Sequence, residues 1–424
     1  MSGCPFNFTR RGFLAAMAGA AAVGAGFGAR PAVDALKNPH AAGAAEPFWG
    51  QHQSGIVTPQ QNNTYFAAFD LTTDKREDVI ALLQKWTAAS ARMIRGQPAD
   101  PVVPASPDNP HDTGDALGLR PSRLTITFGF GPGLFIKDGK DRYGLAAQRP
   151  AALVDMPKFT GDQLVDERSG GDISVQACAD DPQVAFHAIR QLVRMADYIA
   201  QIRWTQAGFM AQQADGGTPR NLMGFKDGTG NPSITDSALM DKVVWAGSEA
   251  PNWMQGGSYL VVRRIRIALE HWDRMKVAFQ EQTVGRQKLS GAPLGTKGEF
   301  DKADLDAVDA DGNLIIPENS HLRLATAATN DGVQILRRPY SYNDGVSFTA
   351  ERWPPWRQGM EYDAGLLFMC YQRDPRTGFI KIFDKMSKFD MMNQFATHVG
   401  GALFACPGGA AEGGYIGEAL FRSA

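Results

Sequence analysis

Three segments of this chain carry residues that make chemical sense only as a set. They are Gly224-Phe225-Lys226-Asp227-Gly228-Thr229-Gly230-Asn231-Pro232, His321-Leu322-Arg323-Leu324 and Leu336-Arg337-Arg338-Pro339-Tyr340. Together they offer a carboxylate, an imidazole and a fixed cation. Haem-dependent peroxide chemistry asks for that trio: an imidazole to hold iron, a carboxylate to move the peroxide's proton, and a guanidinium to stabilise charge as the O–O bond breaks. The glycines and the Asn231-Pro232 step of the first segment require an irregular loop whose backbone can approach a flat ligand. Phe225, Lys226, Gly228 and Thr229 are therefore candidate cofactor contacts beside Asp227. An Asp-Gly pair alone is usually a turn, so Asp227 takes its weight from the other two segments.

His321 stands out among the seven histidines. His40 falls in the leader, His52 and His111 in loop-like sequence, and His187 and His271 in helical patterns, with His398 following one. His321 comes after the Pro317-Glu318-Asn319-Ser320 turn and before an alternating Leu322-Arg323-Leu324, a place from which an imidazole can be aimed off the end of an element. It is the candidate metal ligand. Arg337 and Arg338 close a strand-like run from Val333, and adjacent strand residues point oppositely, so only one of them can face a cavity. Asp309, Asp311, Gly312 and Glu318 imitate part of a calcium loop, but Ala307 stands at the first ligand position, and Asp311-Gly312 reads as a hairpin turn.

The elements that must position these residues follow from periodicity. Tyr65 to Leu71 reads as a strand and Asp74 as the cap of a helix running to about Met93. Strands fit Leu124 to Phe130 and Asp172 to Ala179, and Pro182 opens a helix through Ala196. Ile202 to Met210 closes a β-α-β-β-α-β order. Gly96 to Pro110 is Pro-rich and reads as a surface loop. A second cycle runs through Ser258 to Val262, a helical Glu270 to Met275, a strand at Leu366 to Tyr371, a helix near Lys385 to Phe395 and a strand near Ala402, interrupted by a long insert at Glu281 to Arg357. The predicted architecture is α+β, with two ferredoxin-like halves at 46–215 and 216–424 after a leader at 1–45.

The leader holds Thr9-Arg10-Arg11-Gly12-Phe13-Leu14 and then an uncharged Ala- and Gly-rich run to Ala29. This is a twin-arginine signal, predicting passage through the twin-arginine export machinery, removal of the leader and a periplasmic or secreted product without stable membrane insertion. That route carries folded proteins, which raises the expectation of a bound prosthetic group. About 380 residues remain for a sizeable core. A net charge of -2 with interspersed signs gives no reason to expect a nucleic acid partner. Cys4 leaves with the leader, and the remaining Cys178, Cys370 and Cys406 form an odd set in apolar surroundings, predicting buried thiols and no disulfide framework. There is no Cys-x-x-Cys-His, so a bound haem would be non-covalent haem b.

At these residues the sequence resembles the dye-decolorizing peroxidase family, and most of all its exported EfeB-like iron-uptake branch, the deferrochelatases. The carriers are Gly50 to Gln60, the Gly-x-x-Asp-Gly motif at Gly224 to Gly228, His321 in His-Leu-Arg-Leu-Ala, Arg337-Arg338-Pro339-Tyr340-Ser341-Tyr342, and Gly365 to Gln372. The resemblance implies a dimeric α+β barrel-type fold with one haem b per chain, held mainly by the C-terminal half. It makes His321 the proximal ligand, Asp227 the distal acid-base and Arg337 the distal arginine. Pro339 departs from the glycine expected there and stiffens the turn. A proximal histidine should pass its other ring nitrogen to a carboxylate, and Asp384 and Asp390 are both candidates. The implied partners are hydrogen peroxide, a bulky dye, organic or porphyrin reductant and a second copy of the chain in a dimer or larger homo-oligomer, with a link to iron acquisition from haem. Trp353, Trp356, Tyr340 and Tyr342 are nominated as surface relays for electrons. A non-enzymatic haem carrier or iron-extracting protein is the alternative, but it has no use for both Asp227 and Arg337.

Overall fold

The computed structural model describes residues 43–101, 112–213, 216–350 and 358–422. The expected twin-arginine leader up to residue 42, most of the Pro-rich loop, and Trp353 and Trp356 lie outside them. The first half contains β1 (Asn63–Leu71), α1 (Arg76–Met93), β2 (Thr125–Phe130), β3 (Ile173–Ala179), α2 (Pro182–Ala196) and β4 (Ala200–Phe209). The second contains β5 (Ser258–Ile267), α3 (Leu269–Trp272), α4 (Val277–Val284), α5 (His321–Ala325), β6 (Leu336–Arg337), β7 (Tyr340–Ala350), β8 (Gln358–Gln372), α6 (Phe379–Phe389) and β9 (Ala396–Cys406).

All nine strands belong to one sheet in the order β5-β9-β2-β3-β1-β4-β7-β8-β6, and a further β5–β8 pairing closes eight of them into an antiparallel barrel. Each half contributes four barrel strands. The seams between halves are short, one residue pair each at Phe130↔Ala405 and Phe209↔Ser341. Apolar side chains inside the barrel join the halves, together with backbone bonds outside these strand seams, such as Val165 N to Val399 O at 2.9 Å and Gly170 N to Gly401 O at 3.0 Å. Phe66, Trp204, Leu260, Val262, Leu367, Met369 and Phe404 fill the barrel interior.

Strand sequences follow from burial on both faces. In β1, Phe66 and Ala68 enter the barrel while Ala67, Phe69 and Leu71 pack outward beneath helices, which gives a nearly continuous apolar run instead of strict alternation. Helix α2 starts as expected at Pro182, with the Asp181 carboxylate accepting from Gln183 N at 2.8 Å and Val184 N at 3.3 Å.

Several expectations need correction. Asp74 does not cap α1; the N-cap is Lys75, without a side-chain bond. The helix expected near Lys385 begins six residues earlier at Phe379 and ends at Phe389, followed by a 3-10 turn over Met391–Gln394. The helical segment expected over Glu270 to Met275 is shortened to α3, Leu269–Trp272, with α4 separate from it. His321-Leu322-Arg323-Leu324 is not an alternating element but the first turn of α5. His398 follows the Met391–Gln394 turn, as expected, and lies within β9. The long insert contains an unexpected strand, β7, whose Asn343-Asp344-Gly345 run hid its pattern where the β7–β8 register shifts. Tyr340 and Tyr342 are inward-facing β7 residues, 1% and 0% exposed, so neither is a surface relay. Asp311-Gly312 is the expected turn, flanked by a Val308↔Leu314 bridge, with Gly312 at φ +84°. Cys178, Cys370 and Cys406 are buried free thiols.

Candidate active site

The Gly-x-x-Asp-Gly segment is a loop that only its glycines permit. Gly224 and Gly228 have φ of +83° and +131°, and a side chain at Gly224 would sit 3.0 Å from Lys288 Cε. Backbone and side-chain bonds then fix Asp227. Its N–H donates to Pro219 O at 2.9 Å, and Asn221 Nδ2 donates to its Oδ2 at 3.4 Å. Arg220 fastens the loop to the insert by donating to Gly224 O, Lys288 O and Leu289 O.

Arg337 reaches Asp227 from β6. Its Nη1 donates to Asp227 Oδ1 at 3.0 Å, with the arginine side chain 26% and the aspartate side chain 19% accessible. Arg338 points the other way and is buried, donating to Thr58 O and to Gln61 Oε1. The choice between the paired arginines is thus made by strand alternation: one faces the acid, the other braces the N-terminal segment.

His321 opens α5, and its Nδ1 lies 2.7 Å from Asp390 Oδ2. The imidazole is 39% accessible while the Asp390 side chain beneath it is 2% accessible. Asp390 Oδ1 is held by Met392 N at 2.8 Å, so the carboxylate cannot swing away. Asp384 instead pairs with Lys388 on the exposed side of α6. Burial works against a charged His321, but the Asp390 carboxylate outweighs it and raises the pKa; Asp227 adds to that rise and Arg337 opposes it. Asp227 and Arg337 thus both act electrostatically on this imidazole.

The other predicted contacts fall around the loop. Phe225 is buried, edge-on to Trp272 at 5.9 Å. Lys226 and Thr229 turn to Glu299, whose carboxylate accepts from Lys226 Nζ and, at 3.0 Å, from Thr229 Oγ1. Burial alone would raise the Glu299 pKa, but Lys226, Thr218 and Thr229 together lower it. Glu299 therefore brackets Asp227-Gly228 from both sides. Nothing in its local sequence marked it, since only the fold brings the insert back to the loop. Arg286, held by Gly291 O and Glu299 O, lies near enough that its pKa is lowered, first by burial and then, against Glu299, by Arg337.

The sequence matches the N-terminal domain of Dyp-type peroxidases over residues 53–210 and the C-terminal domain over residues 218–411. The chain belongs to the Dyp-type peroxidase family. A dye-decolorizing peroxidase from Thermobifida fusca is 37% identical, the alignment covering 98% of this chain and 97% of the relative. A deferrochelatase from Escherichia coli K12 is 36% identical over 91% and 89%. Ferric DtpA from Streptomyces lividans superposes with a TM-score of 0.80 at 40% identity, covering 89% and 97%, and an oxyferrous/water mixed complex of the same protein matches equally well. This chain is accordingly a Dyp-type haem peroxidase, with haem b as cofactor. The donor chemistry fits that cofactor. With Nδ1 committed to Asp390, the free lone pair of His321 falls on Nε2, which among the described residues has no protein partner.

Proposed function

We propose that this peroxidase reduces hydrogen peroxide with Asp227 as the proton-transferring group, Arg337 as the charge-stabilising group and His321 as the iron ligand, and uses the oxidising equivalents on bulky dye-like or porphyrin substrates. The observation that carries the reading is the 3.0 Å Asp227–Arg337 pair together with an imidazole oriented by a buried carboxylate. His321 Nε2 would hold the haem iron, and the loop Phe225 to Thr229 would lie alongside the cofactor. When bound, haem supplies the electrons that reduce peroxide. The Asp227 carboxylate takes a proton from one peroxide oxygen and delivers it to the other, so that the departing oxygen leaves as water rather than as hydroxide. Arg337 offers fixed N–H donors to the negative charge that grows on that oxygen as the bond breaks. Asp390 accepts the Nδ1 proton of His321 and fixes both tautomer and ring orientation.

His321→Ala should lose the haem absorption of the parent protein or shift it to that of a differently ligated iron. An unchanged ferric spectrum in that variant would remove His321 from the metal.

The twin-arginine segment supports export to the periplasm or outside the cell. Arg10→Lys with Arg11→Lys should hold the protein in the cytoplasm, and its appearance in the exported fraction would refute this. Assembly as a homo-oligomer is checked by light scattering of the purified protein, where a monomeric mass at micromolar concentration would count against it. The deferrochelatase relatives favour a second reading, release of iron from haem. Metal-free porphyrin accumulating from added haem would support it, and its absence under turnover would exclude it.

A further inference from the structure

We propose that Asn231 is the positioning residue for Arg337, its side-chain amide standing in for a missing β-strand; this rests on the reading of Asp227 and Arg337 as the peroxide-handling pair. Strand β6 is two residues long and pairs with β8 on one side only, Leu336 opposite Tyr371 and Arg337 opposite Cys370. In an antiparallel ladder, successive residues turn their N–H and C=O groups to opposite edges. Arg338 N donates to Met369 O across the β8 side at 2.8 Å, so the peptide groups of Arg337 face away from β8. Among the described residues no strand lies on that edge, because β6 ends the sheet.

Asn231 fills the gap. Its Oδ1 accepts from Arg337 N at 2.9 Å and its Nδ2 donates to Arg337 O at 2.7 Å, across 106 residues of chain. An amide that both accepts from and donates to one residue reproduces the two bonds a neighbouring strand would make. Two bonds also fix an orientation, which one would not: they set the Arg337 backbone, and hence the direction in which its side chain leaves. The same Asn231 donates its own N–H to Gly228 O at 2.8 Å, closing the turn that follows Asp227. One residue thus touches both sides of the pair, the turn after the acid through its backbone and the strand of the guanidinium through its side chain. With Pro219 and Asn221 holding Asp227 and β8 holding the other edge of β6, Asn231 is the link that ties the two sides of the 3.0 Å Asp227–Arg337 pair to each other.

Asparagine is demanded by this arrangement in a way that a turn residue alone is not. Alanine keeps the turn and loses both clamp bonds. Aspartate has the same shape, but its ionised form can only accept, and it sets a charged oxygen against Arg337 O. Protonated aspartic acid restores the pattern, with its carbonyl accepting from Arg337 N–H and its hydroxyl donating to Arg337 O. Because the clamp stabilises the neutral acid, its pKa should rise above the ordinary value of about 3.9.

The test uses the haem-loaded protein and its Asn231→Ala and Asn231→Asp variants. Stopped-flow absorption gives the rate of the peroxide-driven haem spectral change, steady-state assays give the KM for a dye reductant, and hydrogen exchange follows the peptide spanning Arg337. Misplacing a reacting group by a fraction of an ångström to one ångström costs up to roughly 100-fold in rate. Asn231→Ala should accordingly slow the peroxide step about 10- to 100-fold, leave dye KM and haem content unchanged, and speed exchange at the Arg337 amide. Asn231→Asp should be as slow at pH 7 and approach the parent near about pH 5. The variant-to-parent ratio is the quantity read, because Asp227 and Arg337, and the Lys226, Arg286, Glu299 and His321 groups around them, are present in both. A peroxide rate within about twofold of the parent in Asn231→Ala, or a slow Asn231→Asp whose ratio to the parent does not change with pH, would overturn the clamp. If Asn231→Ala fails to fold, the pH dependence of Asn231→Asp decides alone. Asp227→Asn serves as the control: slow peroxide chemistry there with a parental Asn231→Ala defeats only the clamp, whereas a parental Asp227→Asn defeats the reading beneath it.

Discussion

Asp390→Asn isolates what the buried carboxylate does for His321. The side chain is 2% accessible and both oxygens are engaged, Oδ2 with His321 Nδ1 at 2.7 Å and Oδ1 with Met392 N at 2.8 Å. The amide is the same size, so packing should survive and the oxygen can keep the Met392 bond. That leaves NH2 facing Nδ1. Either two donors oppose each other, or the imidazole changes tautomer, accepts at Nδ1 and carries its proton on Nε2, where the lone pair for iron is needed. A hydrogen bond to a charged group contributes about 1.5–3 kcal/mol, and loss of such an outer partner costs about 10- to 100-fold in metal affinity. At about 1.4 kcal/mol per tenfold the two figures coincide. Titrating haem into apoprotein while following the Soret absorption should therefore show affinity reduced about 10- to 100-fold, with an altered ferric spectrum. Parental affinity and spectrum in a folded Asp390→Asn would mean that the 2.7 Å contact does not govern the ligand.

Two further outcomes follow from buried groups. Burial and then the neighbouring Arg263, which donates from Nε to His398 Nδ1 at 2.9 Å, hold the His398 pKa well below the usual imidazole range. The unfolded chain thus takes up a proton below about pH 6.5 that the folded chain refuses. This group costs stability only as pH falls below that value, at most about 1.4 kcal/mol per pH unit. His398→Gln, which can still accept from Arg263, should show a smaller fall in Tm between pH 7 and 5 than the parent; equal slopes would contradict the assignment. Burial likewise raises the Cys370 and Cys406 thiol pKa values, so with Cys178 they should resist a thiol reagent in the native protein and react together on unfolding. Labelling within minutes of native protein lacking Cys4 and the rest of the leader would show that these sites open.

The first half was legible because its strands and helices carry their own boundary signals, such as the Asp181-Pro182 cap. The second half was harder. Placing the start of α6 at Lys385 hid that Ile382, Phe383, Met386 and Asp390 follow one buried stripe while Asp384 lies off it, and that stripe separates the two carboxylates. Strand β7 was concealed by polar residues where the β7–β8 pairing shifts register. Asp227, His321 and Arg337 were legible from residue types and motif, but their convergence was not, since it depends on a barrel closed by pairings between distant segments. Glu299 and Asn231 act through contacts 70 to 106 residues away, and no local pattern announces such a partner.

The most direct test of the central claim is single-turnover stopped-flow mixing of the haem-loaded protein with hydrogen peroxide, comparing the parent with Asp227→Asn. The account predicts a spectral change slowed by roughly 10²–10⁴ in the variant, the cost of losing a well-placed proton-transfer group, with haem still bound. A folded, haem-replete Asp227→Asn that reacts at the parental rate would contradict it.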